Sequence, residues 1–223
     1  MSFRGGHRGG PGNRIHELEE RTARLKTLVI LSTVSMVLAN VMMLFVVPGE
    51  TMKELARAGN MGLVFLIPVV LLGTLALQIF TGIMWCRWTS FAYENLSACF
   101  GEPTTTTPSR AGWSHFIPFA NLWLPFKYTR EIAIKSTPRD LDVDDTDVAL
   151  WWFFWIAHLA RSCVEAYISP RGLTTFHLAF EAVDVILSLV AAFFALQVIA
   201  SIASAQRERF EQDRAIPRDW SGR

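Results

Sequence analysis

Apolar residues gather along this chain in long runs, without the regular polar interruptions of an amphipathic surface helix. The first two runs, residues 27–47 and 61–85, carry no charged side chain, and the fourth is free of charge from Val185 to Ala205. About 20 helical residues, at about 1.5 Å each, cross the hydrocarbon core of a bilayer. The pattern therefore predicts an all-α integral membrane protein, a four-helix bundle. Its spans are expected at about residues 27–47, 61–85, 148–168 and 174–204.

Six ionisable residues fall inside the third and fourth predicted spans. They are His158, Arg161 and Glu165 in the third, and His177, Glu181 and Asp184 in the fourth. Within each span they recur every three or four residues and so share one helix face. Each such group near mid-membrane costs about 2.5–3.5 kcal/mol on insertion scales. Because the two helices form an antiparallel hairpin around Pro170, we expect the faces to meet, with Arg161 paired to Glu181 or Asp184.

Three interpretations of this intramembrane polar cluster remain open. The favoured interpretation is an ion-pair network that fixes helix register and orientation. A second interpretation is a polar pathway for protons or a small solute, because histidines beside carboxylates titrate near neutral pH. A third is a metal site, although the sequence holds no H-E-x-x-H pattern, so that the metal stays unknown.

Basic residues predict the orientation of the chain. Seventeen Lys or Arg residues precede the first span, lie between the second and third, or follow the fourth, whereas three lie in the other two connections. Since cytoplasmic loops carry the excess of positive charge, both termini and loop 86–147 are expected in the cytoplasm. Residues 1–14, rich in Gly and Arg, are predicted to be a disordered tail. Residues 15–205 then form the membrane domain, and residues 206–223 a cytoplasmic tail.

The loop between the second and third spans contains a short apolar stretch, residues 112–126, here called the Trp/Pro segment. It is too short to cross a bilayer as a helix, and Pro118 and Pro125 interrupt it. An interfacial or re-entrant position fits it best, with Trp113 and Trp123 at the depth of the lipid headgroups. Asn121 is expected to hydrogen-bond backbone groups that the prolines leave free.

This segment carries a resemblance to a known family. Trp113 is followed by Ile117-Pro118-x-x-Asn121-Leu122-Trp123-x-Pro125 and then by Glu131-Ile132. The pattern resembles the signature W…I-P-x-x-N-L-W-x-P…E-I of an uncharacterised family of bacterial multi-pass membrane proteins, catalogued as a domain of unknown function. The resemblance covers about residues 28–204. It implies a bacterial plasma-membrane location and brings no activity with it. The signature residues are Trp113, Pro118, Asn121, Trp123, Pro125 and Glu131.

Composition and the remaining motifs narrow the range of possible functions further. The net charge of +1 does not favour binding to nucleic acid. The acidic run 140–147 fails as a calcium loop, since Asp145 stands where Gly is required and Trp151 where a bidentate Glu is required. Asp145 or Asp147 is instead expected to cap the third helix. No nucleophile motif or phosphate loop is recognisable, and no cofactor is expected.

These observations favour a non-enzymatic scaffold or interaction protein. The alternative is a proton, metal or small-solute transporter or channel that uses the polar faces of the third and fourth helices. Metal-dependent chemistry inside the membrane is the remaining enzymatic reading. The expected partners are the lipid bilayer, an anionic lipid or a protein at the basic cytoplasmic face, and a second copy of the chain.

Overall fold

A computed structural model describes residues 10–46, 52–138, 140–141, 144–168 and 177–215, with backbone only at 43–46, 52–53, 165–166, 168 and 177–179. All regular structure in these ranges is helical. In chain order the helices are α1 (Pro11–Val46), α2 (Met52–Arg57), α3 (Met61–Phe100), α4 (Pro108–Trp113), α5 (Leu124–Ser136), α6 (Thr146–Ile168) and α7 (His177–Ala215). Two short 3-10 turns, Ser114–Phe116 and Ala120–Leu122, lie between α4 and α5.

Three of the long helices extend well beyond the predicted spans. Helix α3 continues to Phe100 and α7 to Ala215, while α1 begins at Pro11. The prediction of a disordered tail over 1–14 is therefore wrong for residues 11–14. Arg14 hydrogen-bonds Asn95 at 2.9 Å and pairs with Glu94 at 3.1 Å, so contacts to α3 order this end of α1. The rest of the predicted tail, residues 1–9, lies outside the described residues.

The contacts divide the chain into two compact units. Unit 1 comprises Met1–Lys26, Trp85–Ala149 and Ala195–Arg223, and unit 2 comprises Thr27–Met84 and Leu150–Phe194. Each of the four long helices therefore contributes one part to unit 1 and another to unit 2. Unit 1 also contains α4, α5 and the Trp/Pro segment, and unit 2 contains α2.

Unit 1 has an apolar core that also encloses hydrogen-bonded polar side chains. Trp88 is 1% exposed and donates from Nε1 to Thr22 Oγ1 at 2.9 Å. Gln206 is fully buried and donates to the Ala92 carbonyl at 2.9 Å and to Ser136 Oγ at 3.1 Å, which joins α7 to α3 and α5. The apolar core around these groups comprises Leu18, Leu25, Tyr93, Leu96, Ile132, Val148, Val198, Ile199 and Ile202.

Unit 2 differs from unit 1 in its surface. Its buried residues include the polar Ser32, Thr81, Asp184 and Ser188 beside apolar ones such as Ile67. Along its long helices many large apolar residues are strongly exposed, among them Ile30, Leu38, Phe65, Val69, Leu72, Phe153 and Ile186. In water such a surface is unfavourable, because burial of apolar area drives folding. Polar residues inside and large apolar residues outside are what a lipid environment favours.

Helices α1, α3 and α7 contain stretches long and apolar enough to cross a membrane, within Pro11–Met42, Met61–Phe100 and Phe180–Ala215. Helix α6 has 23 residues but is not among the spans found in the described residues. His158, Arg161 and the tryptophans near its start lower its hydropathy. The all-α membrane class is thus supported by three helices, and the crossing by α6 belongs to the proposals below.

The start of α6 corrects the prediction that Asp145 or Asp147 caps this helix. The backbone N–H of Thr146 donates to Asp144 Oδ1 at 3.0 Å, so Asp144, and not Asp145 or Asp147, provides the side-chain acceptor there. Asp145 is engaged instead by Arg130 of α5. An acidic group at this end also complements the helix dipole.

Candidate functional site

The polar groups of unit 2 converge on Asp184, which is 6% exposed. Arg161 of α6 donates from Nη1 to Asp184 Oδ1 at 2.8 Å, and His158 Nδ1 lies 3.1 Å from the same oxygen. Asn40 of α1 approaches the other oxygen from Nδ2 at 3.3 Å. Ser188 Oγ lies 3.4 Å from His158 Nδ1. One carboxylate thus gathers donors from α1 and α6, here called the Asp184 network.

The predicted pairing of Arg161 is therefore realised with Asp184. Glu181 is half-buried on the same helix. Glu165 and His177 lie in α6 and α7, but their side chains are outside the described residues. Among the described residues no group of three or more His, Cys, Asp or Glu is placed to hold a metal ion.

Asn40 is a member of the Asp184 network that the sequence reasoning missed. It is the one amide side chain in the first apolar run, 27–47. An amide in a charge-free membrane segment needs a partner, because a polar group unsatisfied in hydrocarbon is costly. In the sequence an uncharged amide stands out less than an ionisable residue, although the same rule applies to it. Gln78 follows the same rule, since its Nε2 donates to the Ser32 carbonyl at 3.2 Å.

Glu131 is the signature residue with the most contacts in unit 1. Its carboxylate is 8% exposed and accepts hydrogen bonds from Tyr93 Oη at 2.9 Å, Thr105 Oγ1 at 2.5 Å and the Thr105 backbone N–H at 3.1 Å. Lys135 Nζ lies 2.7 Å away, one helical turn further along α5. The carboxylate therefore fastens the threonine-rich segment before α4 to α3 and α5.

Burial by itself raises the pKa of the Glu131 carboxyl, since it disfavours the charged form. Hydrogen bonds from Lys135, Thr105 and Tyr93 outweigh that effect and hold the pKa below its ordinary value of 4.5. Glu131 is thus a carboxylate at neutral pH, and its two oxygens are occupied by structural donors. The Glu131 carboxylate is therefore better suited to holding these segments together than to acting as a general base, which needs a free lone pair directed at a substrate.

Gly112 allows the Trp/Pro segment to dock on α3. A Cβ at this position would lie 2.0 Å from Ser90 Oγ and 2.2 Å from the Cys86 carbonyl oxygen. Two residues later, Ser114 is fully buried. Any larger residue at position 112 would have to displace a main-chain oxygen, so the close approach of α4 to α3 requires glycine.

His115 holds the same junction together. Trp85 donates from Nε1 to His115 Nε2 at 3.2 Å, and His115 Nδ1 lies 3.0 Å from the Gly112 carbonyl. Both contacts are satisfied by the neutral ring with its proton on Nδ1. Burial lowers the pKa of His115 to about 4, against an ordinary 6.5, although the Gly112 carbonyl opposes the shift. The ring is therefore neutral at physiological pH.

The middle of the Trp/Pro segment presents apolar side chains outward. Phe119 is 81% exposed and has a φ of 61°, a left-handed conformation that bulky residues rarely adopt. Phe116 and Trp123 are 55% and 54% exposed. The other exposed apolar members are Trp113, Ile117 and Leu122. An outward apolar surface beside a well-packed core indicates contact with another apolar phase.

The signature residues thus divide into two groups. Pro125 and Glu131 are buried, and Pro125 occupies the first turn of α5, where its missing N–H is tolerated. Trp113, Pro118 and Trp123 are exposed. The backbone N–H of Asn121 donates to the Ile117 carbonyl at 2.9 Å, but its side chain forms no hydrogen bond to another described residue. The expected role of the Asn121 amide is therefore not seen.

Comparison with known proteins gives one informative result. Searches among curated proteins and among solved structures find no match. A model for a domain of unknown function, DUF4328, matches residues 63–207. The match contains α4, α5, the Trp/Pro segment and the Asp184 network apart from Asn40. Because it covers more than half of the 223 residues, and in line with the resemblance of the signature, the chain belongs to the DUF4328 family, a domain of unknown function.

Proposed function

We propose that this protein crosses the plasma membrane four times, with unit 1 in the cytoplasm, and serves there as a non-enzymatic scaffold. The division of the chain carries the proposal. The boundaries between the units, at residues 26/27, 84/85, 149/150 and 194/195, each fall inside one of the four long helices. Seventeen of the 21 basic residues belong to unit 1. Since the positively charged side of a membrane protein is cytoplasmic, this segregation supports four crossings, α6 included.

The Asp184 network supports the passage of α6 through lipid despite its polar residues. Arg161 and Asp184 are 12% and 9% exposed at their side chains and neutralise one another. A paired and hydrogen-bonded charge avoids most of the penalty of an isolated ion in a low-dielectric medium. The low hydropathy of α6 is then compatible with a membrane position, because its charged Arg161 is paired with α7 and withdrawn from lipid.

The buried carboxylates of both units are occupied by internal contacts, and this favours a scaffold over an enzyme. Asp184 is saturated by Arg161, His158 and Asn40, and Glu131 by Tyr93, Thr105 and Lys135. Groups occupied in this way hold helices together. The outward apolar surface of the Trp/Pro segment then gives unit 1 a membrane-contacting face, which we place at the inner leaflet of the bilayer.

Transport is the second candidate, and one observation favours it. The His158 side chain is 32% exposed although it contacts the buried Asp184, so it connects that carboxylate to the surface of unit 2. A histidine beside a carboxylate is a common element of proton pathways. In that case the Asp184 network would take up and release the transported proton or solute, and it would not be a permanent link between the helices.

Flux measurements on purified protein in proteoliposomes separate the two candidates. Vesicles with an internal pH-sensitive or metal-sensitive dye are challenged with a pH step or a divalent cation. The scaffold proposal expects the same signal as protein-free vesicles. Flux that disappears in Asp184→Asn and persists in Asp213→Asn, an exposed carboxylate near the end of α7, would establish transport and overturn the proposal. Glu181→Gln extends the test to the neighbouring acidic position.

A further inference from the structure

A groove of about 340 Å³ opens on the surface of unit 1 between α1, α3 and the start of α4. Its volume lies in the range of about 300–1,000 Å³ that is usual for small-ligand sites. Arg87, Ser90 and Phe91 line it from one face of α3, Arg21 from α1 and Trp113 from α4. Glu94 and the residues Pro108 and Ser109 complete the lining.

The groove carries one positive charge that no carboxylate of the described chain neutralises. Arg21 is paired with Glu17 at 2.5 Å, and Glu94 is paired with Arg14 at 3.1 Å. Arg87 is exposed and has no ion pair with any described residue. The unmatched charge is therefore +1, which a singly charged anion would balance. The exposed Ser109 supplies a hydroxyl beside it, whereas Ser90 Oγ is buried against Gly112.

Arg21 is held in position before any ligand arrives. Its guanidinium lies 4.3 Å from the centre of the Phe91 ring, on which Arg14, outside the groove lining, also stacks at 4.8 Å. Stacking on an aromatic face limits the rotamers of a side chain that is otherwise free to move. A guanidinium with fixed orientation loses less entropy on binding, and its planar N–H groups match the oxygens of a phosphate.

The position of the groove along the chain indicates where such an anion comes from. Arg87 follows directly on the second apolar run, and Trp113 opens the Trp/Pro segment, whose exposed apolar surface continues to Trp123. A cation with a tryptophan beside it at the end of a membrane span is the usual arrangement at headgroup depth. The neighbouring apolar residues provide a surface for acyl chains.

We propose that this groove binds the phosphodiester headgroup of an anionic phospholipid, with Arg87 as the principal charge partner and Trp113 at its mouth. The proposal rests on the membrane topology proposed above, and it adds the chemistry of the lipid that the cytoplasmic face would select. One phosphodiester supplies the single negative charge that the groove lacks. A zwitterionic lipid brings its own cation and would gain less from Arg87.

Native mass spectrometry of the full-length protein in detergent tests this inference. Phosphatidylglycerol and phosphatidylcholine with the same acyl chains serve as probes, and inorganic phosphate as a competitor. We expect phosphatidylglycerol to bind about tenfold more tightly than phosphatidylcholine, because the choline cation offsets the attraction of the zwitterionic headgroup to Arg87. Arg87→Gln should remove this preference and Arg87→Lys should keep most of it. Arg110→Gln, on α4 but outside the groove, should leave it unchanged.

Each alternative result overturns the inference. Equal binding of the two lipids, or equal losses in Arg87→Gln and Arg110→Gln, would exclude a headgroup site at Arg87. Binding of inorganic phosphate without a preference for phosphatidylglycerol would identify a soluble phosphate as the ligand. None of these results bears on the four crossings, which are tested separately by labelling, so failure of the groove and failure of the topology are distinguishable.

Discussion

Arg161 Nη1 and Asp184 Oδ1 lie 2.8 Å apart, which ties α6 to α7 through a pair of charges withdrawn from the surface of unit 2. The i, i+3 and i, i+4 spacing of the ionisable residues was enough to predict such a pair. The approach of Asn40 to the same carboxylate depends on tertiary structure, which the sequence does not determine.

Removal of either partner of this pair is expected to destabilise the protein strongly. Arg161→Gln or Asp184→Asn leaves a buried charge without its counter-ion, which costs about 3–5 kcal/mol. The double variant, with two neutral amides, should recover more than half of that loss. Reversible unfolding in mixed micelles measures the three values, with Arg24→Gln, from an exposed pair on α1, as a control of little effect. Losses that simply add would contradict a direct coupling.

Gly112→Ala should loosen the contact between α4 and α3. The new methyl group would lie 2.2 Å from the Cys86 carbonyl oxygen, and overpacking of this kind costs about 1–3 kcal/mol. Thermal unfolding in detergent measures the loss. Gly73→Ala is the matched control, because no atom lies within 4 Å of a Cβ there. A melting temperature for Gly112→Ala no lower than that of Gly73→Ala would show that α4 does not dock closely.

Glu131 makes unit 1 sensitive to strongly acidic pH. Because its folded pKa is held below 4.5, the carboxylate stabilises the fold above that pH, and the contribution is lost as pH falls through the folded value. Glu131→Gln should therefore be less stable than the parent protein at pH 7, with a difference that shrinks toward pH 3. Unfolding free energies at the two pH values provide the test. A constant difference would mean that the charge of Glu131 does not matter.

His115 is expected to act in a different pH window. Its pKa of about 4 in the fold and 6.5 outside it means that unfolded chains take up the proton first. Stability is then complete above about pH 6.5 and declines as pH falls toward 4, by at most about 2 kcal/mol between pH 7 and 5. His115→Gln should flatten this decline. An equally steep decline in the variant would assign it to another group.

The sequence was informative where hydrophobic length decides the structure and less so where close packing does. Runs of more than 20 apolar residues predict long helices, because a helix satisfies the backbone hydrogen bonds of such a run within one segment. Which side chains are buried where these helices continue into unit 1 was harder to predict. Gln206 and Arg209 are buried there because they continue the helical stripe of Ile199 and Ile202, and a polar residue on such a stripe is predicted to be exposed as long as its hydrogen-bond partners are unknown. The signal was the unbroken 3.6-residue period.

The candidate sites show the same contrast. The ionisable residues stand out in an apolar background and were identified one by one, whereas Gly112 resembles any loop glycine until α3 is placed beside it. Glu131 stands out in the sequence only as a signature residue, and its four donors come from three separate parts of the chain. Such convergence depends on tertiary structure, which the order of residues along the chain does not reveal without homologous sequences or coordinates.

Accessibility of single cysteines in whole cells tests the four-crossing arrangement most directly. In a variant without Cys86, Cys99 and Cys163, one cysteine is introduced at Ala56, Gly172 or Asp213 and treated with a membrane-impermeant maleimide. The proposed topology predicts labelling at positions 56 and 172 in intact cells, and at 213 only after permeabilisation. Labelling at 213 in intact cells, or protection at 172 until the membrane is opened, would mean that α6 does not cross and would contradict the account.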